Sequence, residues 1–544
     1  MCLFVKAKRV RVMEISGSIW HEDLLDESRV KHFHFYTLSV SHKMNMETQE
    51  YLMTDFNSPV IPQRKLESWT RPIFGQTVVA VLVYLTAICN GLSSGYSAIL
   101  LPQIRANGSD FEVNQEIESW IVSIYIGATS VGCLMSGVIM DLWGRRLTVQ
   151  IAVFCITIGW ISIAACGSYP LMLVGRALGG FGKGFSTPAV TFHVEEMADP
   201  RLRGALSACV LLTYSIGIMV ISLLGTHISW RIVAGLAAVI TFIDLVGYSL
   251  LRESPVWLVR NNRVDQASEV YNWLWGPGHQ PQAERELQEL LNRVKDEKSL
   301  LANDSLTISK WNLTQYLQPQ VLKPFFIIHI FNLIQVVCGT NLFIFYAVDI
   351  ISGLKTDGGL DINLTTNLTS IVRVVFMAAS CITLVWVGRR TMSISSGVGS
   401  GVAAVILGTL VHFQNVPAWF MIVFILLYVA FNTYGFFVLP PSMIGEILPS
   451  KIRCVLGAYI FTMNDIAMFV ATKVFPSVSR TIGAEGLFWS FGVFSLLCSL
   501  FLYLMLPETK GRSLVQIEKY FLQSNVLWIT RNKKQKTTDT QIKL

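Results

Sequence analysis

Charge is scarce in this chain: only 15% of its 544 residues are Asp, Glu, Lys or Arg, against 52% hydrophobic residues. A water-soluble fold cannot hide that much apolar surface, which excludes a cytosolic globular protein and leaves lipid as the solvent. Paired carboxylates, a nucleophile elbow and a phosphate-cradling glycine loop are all missing, so the sequence does not read as an enzyme. No spacing of Cys and His resembles a metal site, and no cofactor is called for. Ten cysteines are present, but Cys89, Cys133, Cys209, Cys338, Cys381 and Cys498 lie within apolar runs and read as small buried residues rather than disulfide partners. The net charge of +7 falls mainly in short turns beside those runs, and nothing suggests a nucleic-acid partner. The basic tail at 531–536 reads as a solvated end.

What the chain does have is apolar runs long enough to cross about 30 Å of hydrocarbon, which takes about 20 residues of helix. Six are expected in the first half, at 74–101, 117–140, 147–166, 171–194, 205–224 and 232–251. Six more follow at 325–350, 368–387, 393–413, 418–443, 455–475 and 487–506. The fold class is therefore an all-α membrane protein, with twelve transmembrane helices in two six-helix bundles. Its expected parts are a cytoplasmic extension at 1–70, a first bundle at 71–251, a helical linker at 252–323, a second bundle at 324–506 and a tail at 507–544. The extension lacks a signal peptide's apolar stretch, and Met44 or Met46 is an alternative start. Within the linker, 282–298 has the pattern of an amphipathic surface helix.

The few charges recur in order. DLWGRR, with Asp141, Gly144, Arg145 and Arg146, returns as VWVGRR, with Gly388, Arg389 and Arg390. EEMADPRLRG returns as GEILPSKIRC, pairing Glu196 and Arg203 with Glu446 and Arg453. RESPVWL, with Glu253, has a looser counterpart in LPETKGR, with Glu508. Such a repeat marks a duplicated chain, and duplicated halves with a site between them are a common way to build a transporter. Lys and Arg in short loops stay cytoplasmic, which puts both termini and the linker inside. The sequons at Asn107 and Asn363 then face outward as glycosylation candidates, while those at Asn303 and Asn312 face inward and Asn367 lies close to the bilayer.

These motifs in this order resemble the sugar-porter family of the major facilitator superfamily over about 74–517. Three segments look most like its insect facilitated trehalose transporter branch: LSSGYSAILLPQI at 92–104, ESWIVS at 118–123 and NLFIFYAV at 341–348. The resemblance implies a sugar site near mid-membrane, alternating access by rocking of the bundles, and a plasma-membrane carrier with a small-molecule sugar as its partner. It carries cytoplasmic gate roles to Arg145, Arg146, Glu196, Arg203, Arg389, Arg390, Glu446 and Arg453, with Glu253 and Glu508 as further acceptors. These groups are expected to pair across the two halves when the inner side closes. Val385 and Trp386 replace the acidic and basic residues usual before the second glycine, which thins that side of the latch.

A sugar needs amides for its hydroxyls and an apolar wall for its ring faces. Gln335 and Asn341 match the family's amide positions in the seventh span, with Phe343, Phe345 and Tyr346 as wall or outer lid. Other family contacts are replaced: Leu211, Val336 and Pro441 stand where two glutamines and a tryptophan are usual. Arg373 stands for an asparagine, and Asp465, after Asn464, for a tryptophan. Charges near the bilayer centre cost about 2.5 to 3.5 kcal/mol on insertion scales and mark functional positions. Arg373 and Asp465 are read as an ion pair in or beside the cavity, able to bind hydroxyls or an anionic substrate. Alternatively, Arg373 snorkels outward and Asp465 meets backbone or water. Lys183 and Asp244 are expected to pair within the first bundle. Gly95 stands where related proton symporters carry an acid, which favours passive transport, with proton coupling through Asp465, a non-sugar organic solute and a transport-inactive sensor as alternatives.

Overall fold

The computed structural model describes residues 74–106, 114–198, 203–276, 278–305, 319–354, 361–413, 416–448, 453–510, 517 and 520–521. Among them every regular element is a helix. The first half supplies α1 (Phe74–Ala106), α2 (Gln115–Trp143), α3 (Arg145–Ala164), α4 (Tyr169–Met197), α5 (Arg203–Gly225) and α6 (Trp230–Leu250). Three linker helices follow, α7 (Pro255–Arg260), α8 (Val264–Trp275) and α9 (Gln280–Ser305). The second half holds α10 (Pro319–Val337), α11 (Leu342–Phe345), α12 (Ala347–Ser352), α13 (Ile362–Trp386), α14 (Arg389–Phe413), α15 (Ala418–Phe431), α16 (Leu439–Ile447) and α17 (Arg453–Met505). Gly483, at φ 69, breaks α17 into the eleventh and twelfth crossings.

The helices are sorted by solvent in reverse of a soluble protein. On α6, Val233, Ala237, Thr241, Asp244 and Tyr248 are buried at helical spacing, while Ile232, Leu236, Val239, Phe242, Ile243 and Val246 are exposed to the surroundings that lipid would fill. Ten helices have the length and hydropathy of a membrane span, one of them the double α17. The fourth crossing, α4, misses that test because its inward face is built from glycine and charge. There the backbone of α2 comes so close that a Cβ on Gly184 would sit 2.0 Å from the Thr129 oxygen, and one on Gly180 1.9 Å from that of Tyr125. Small residues are what allow helices to approach in lipid.

Two expected spans are not continuous helices. The seventh breaks between α10 and α11 at Gly339, whose φ is 79, and the Cys338 carbonyl released there accepts a hydrogen bond from the Tyr428 hydroxyl at 2.7 Å. The tenth widens into a π-turn at Asn432–Phe437. Its cause is Ser396 on α14, whose hydroxyl accepts from the Phe436 N–H at 3.0 Å and donates to the Phe431 carbonyl at 2.6 Å. A side chain inserted into the helical ladder holds the extra residue. The two irregular segments meet, since Thr340 donates to Asn432 at 2.5 Å. Irregular backbone at membrane depth survives only inside protein or along a cavity.

The linker packs as the amphipathic pattern implies. Ala283, Leu287, Leu290 and Val294 of α9 turn inward with Trp257, Tyr271 and Leu274, joining Val79, Met140 and Val149 at the end of the first half that carries the tandem arginines. We call this the basic end and its opposite the far end. Substituting Gly184→Val forces a backbone shift at the α2–α4 crossing, whereas Gly235→Val meets nothing within 4 Å. Overpacking costs about 1 to 3 kcal/mol, so the first variant is expected to melt about 1 to 3 °C below the parent in detergent and the second at the parent's temperature. Equal melting temperatures would contradict the close crossing.

Candidate solute pathway and its gates

At the basic end the two halves carry the same cluster twice. In the first, the Arg145 guanidinium meets Glu196 at 2.9 Å, and the other Glu196 oxygen accepts from the Ser254 hydroxyl. Glu253 accepts the backbone N–H of Arg145 at 2.8 Å and that of Arg146 at 3.1 Å, capping α3. In the second, Arg389 meets Glu446 at 2.9 Å, Thr509 donates to Glu446 at 2.7 Å, and Glu508 takes the backbone N–H of Arg389 at 2.9 Å and of Arg390 at 3.3 Å. A Cβ on Gly144 or Gly388 would come within 2.4 or 2.1 Å of those capping carboxylates, so the glycine of each signature is the space the acid occupies. Burial pushes the Glu253 carboxyl up, opposed by the backbone N–H groups of Ser254, Arg146 and Arg145. Arg145 is more deeply set than Arg389, with side-chain exposures of 4% and 21%. The first cluster also has Asp141 at 3.7 Å from Arg145, where the second has Val385.

The expectation of pairing across the halves concerns the state closed at this end, and the pairs here belong to a state in which the halves do not meet through them. Every ion pair at the basic end, among the described residues, joins groups of the same half. The side chains of Arg203 and Arg453 lie outside the described residues. Cross-half ionic contact is instead made at the far end, where Arg105 of α1 holds Glu118 of α2 at 2.7 Å and Asp349 of α12 at 2.6 Å. Beside it, Lys473 of α17 donates to Ser119 of α2 at 2.8 Å and lies 4.0 Å from the Trp120 ring centroid. Ser222 of α5 bonds Asn367 of α13 at 3.0 Å. The far end is thus latched between halves, while the basic-end pairs brace each half separately.

The central residues fall into three groups. Tyr346 is structural in this state: its hydroxyl donates to the Thr472 carbonyl at 2.9 Å and its ring stacks on Phe475 at 4.6 Å. Phe343 packs on Tyr428, and Phe345 reaches Tyr125 of the other half at 6.3 Å. Gln335 is buried and makes no hydrogen bond among the described residues, Asn341 is half-buried at the helix break, and Asn464 has a buried Oδ1 without a partner there. Open amides at mid-membrane are unpaid hydrogen bonds unless water or a solute meets them.

The third group overturns two expected pairs. Arg373 and Asp465 form no ion pair within 4.0 Å, and neither do Lys183 and Asp244. Asp244 accepts from Thr86 at 3.2 Å between α1 and α6. Asp465 instead shares an electrostatic interaction with Lys183 across the two halves, and the Lys183 ammonium lies 5.5 Å from the Tyr125 ring and 5.9 Å from that of Tyr214. The Tyr214 ring stacks on Phe437 at 6.1 Å, and the Arg373 guanidinium lies 6.0 Å from the Phe437 ring. Because α13 begins at Ile362 rather than 368, Arg373 sits about 16 Å from the far end of its helix, too deep for the outward snorkel.

Arg176 was not singled out by any motif, yet it is among the largest fully buried side chains. It donates to the Ile121 and Ser93 carbonyls, each at 3.1 Å, and to the Ser97 hydroxyl at 2.5 Å, with the Tyr125 ring 4.4 Å away. Two carbonyls, a hydroxyl and an aromatic face meet its charge without a carboxylate. Gly95 leaves no room for one, since a Cβ there would come 2.6 Å from Ile221.

The family model described as "Sugar (and other) transporter" matches residues 79–521. The chain belongs to that family. It is 28% identical over 453 residues to the facilitated trehalose transporter Tret1 of Apis mellifera ligustica, covering 82% of this chain and 88% of that one. A Tret1 of Drosophila pseudoobscura pseudoobscura is 30% identical over 463 residues, covering 83% and 52%. Among solved structures, the proton:xylose symporter XylE bound to 6-bromo-6-deoxy-D-glucose superposes with a TM-score of 0.66 at 18% identity, over 82% of this chain and 99% of that one. An inward open form of XylE from E. coli matches with the same score, identity and coverage. The likeness to XylE identifies the major facilitator fold, as the two six-helix bundles imply.

In this sugar-transporter-family member the far-end clasp and the basic-end braces make separate predictions. Exposed pairs are worth about 0 to 1 kcal/mol each. Arg105→Gln is therefore expected to raise far-side maleimide labelling of an introduced Asn341→Cys by about two- to tenfold, and unchanged labelling would remove Arg105 from the latch. Breaking a buried pair costs about 3 to 5 kcal/mol, so Glu196→Gln should lower the melting temperature more than Glu446→Gln does. The reverse order would show that the depth of Arg145 does not set its dependence on Glu196.

Proposed function

We propose that this chain is a facilitative sugar carrier of the plasma membrane, working by alternating access between its two bundles. Family membership supports sugar transport. The observation that carries the mechanism is the line of open polar groups, Gln335, Asn464, Lys183, Arg373 and Asp465, along an interface whose far end is closed by Arg105 and Lys473. With the tandem arginines cytoplasmic, as the positive-inside rule requires, this is an inward-facing arrangement. Opening outward then means exchanging the Arg105 clasp for contacts between halves at the basic end, and contacts this weak suit a switch.

The relatives named as facilitated trehalose transporters make trehalose the first substrate to test, with monosaccharides beside it. The missing acid near Arg176 supports passive movement, because that buried guanidinium is already satisfied by neutral groups. Asn363 is exposed in the first turn of α13, on the far side, and we assign it as a glycosylation acceptor. Asn107 lies outside the described residues.

Purified protein in liposomes is expected to take up labelled trehalose or glucose down a concentration gradient, at a rate unchanged within about twofold by an imposed pH gradient. Uptake tied to that gradient would overturn the passive assignment, and no uptake of any sugar would overturn the carrier reading.

A further inference from the structure

The sugar-carrier reading leaves one central group unexplained, and the following rests on that reading. Arg373 is 4% exposed and lies at mid-helix. Its guanidinium has five N–H donors but makes no hydrogen bond and meets no carboxylate within 4.0 Å among the described residues. The groups around it are neutral: the Phe437 ring at 6.0 Å, with Tyr214 stacked on that ring. A cation over an aromatic ring gains about 0.5 to 2 kcal/mol, which does not offset the cost of a charge at this depth.

The neighbouring charges do not supply the missing anion. At about 1.5 Å per residue, Lys183 lies about 21 Å from Met197, Arg373 about 20 Å from Trp386 and Asp465 about 18 Å from Arg453, so all three sit at one level between the basic and far ends. Asp465 interacts electrostatically with Lys183 of the other half but forms no ion pair within 4.0 Å with either cation. Two cations and one carboxylate leave the level one positive charge in excess. That excess lies beside the Tyr214 and Phe437 rings, and aromatic walls with a few polar groups are what small-molecule sites use.

We propose that the central lumen takes a sugar that carries a carboxylate, a hexuronate-type monoanion, with its carboxylate forked onto Arg373 and its ring against Tyr214 and Phe437. A guanidinium binds a carboxylate through two parallel N–H bonds, which a lysine cannot reproduce. Lys183 and Asp465 then face the hydroxyls from opposite bundles, so the bound solute joins the two halves that must move.

The test uses the full chain in liposomes, with labelled glucuronate, glucose and lactate. Glucuronate uptake is expected to exceed lactate uptake at least tenfold and to be inhibited by glucose. Arg373→Gln should lower the glucuronate-to-glucose rate ratio at least tenfold, and Arg373→Lys should lower it less. Thermal stabilisation of the unaltered protein by glucuronate beyond that given by glucose provides a binding readout that needs no variant. Uptake of glucose without uptake of, or stabilisation by, glucuronate would overturn this inference and leave the sugar carrier standing. Lactate taken up as well as glucuronate would overturn it in favour of a simple organic-acid site. Failure of every solute would overturn the carrier reading itself.

Discussion

Lipid offers no hydrogen bond, and that constraint organises everything else in this protein. A broken helix, a π-turn or a charge can exist at membrane depth only where protein, water or solute meets it. The break at Gly339, the π-turn opened by Ser396 and the charges Arg176, Lys183, Arg373 and Asp465 accordingly all lie in the interior. Some of them are closed by protein, as Cys338 is by Tyr428 and Arg176 by two carbonyls and Ser97. The π-turn is closed by Ser396, while Arg373 makes no hydrogen bond among the described residues.

The duplicated clusters at the basic end show how a short signature produces a rigid half. Each glycine leaves space for a carboxylate that caps the next helix, and each first arginine reaches the acid of the fourth or tenth span. The bonds stay within a half, so the two halves are braced as separate bodies. Ion pairing between them, among the described residues, is left to the far end, where Arg105 meets both Glu118 and Asp349. Strong bonds within each half and weak ones between them are what rocking requires.

Much of the fold was legible because hydrocarbon thickness sets helix length and the tandem arginines mark helix ends. The repeats of Gly144 and Gly388 and of Glu196 and Glu446 carried the duplication, and the amphipathic face of α9 could be read from its spacing. The site was less legible. Gln335 and Asn341 are candidates through family position, but Arg176 and Arg105 belong to no motif. The rotation of α13 and α17 about their axes cannot be taken from apolar runs, so the sequence pairs Arg373 with Asp465, which the structure does not bring within 4.0 Å of each other.

By itself the sequence determined what depends on local composition: the number and rough length of the membrane helices, the duplication, the basic end and the type of chemistry available. Tertiary structure alone decided which charges meet, since pairing depends on how helices far apart in the chain are rotated and docked. It decided that the arginine–glutamate pairs at the basic end lie within each half, that Arg105 latches the far end, and that Arg373 meets no carboxylate within 4.0 Å among the described residues. The physical reason is that the burial of a helix face is a property of its neighbours, whereas its ability to enter lipid is a property of its own residues.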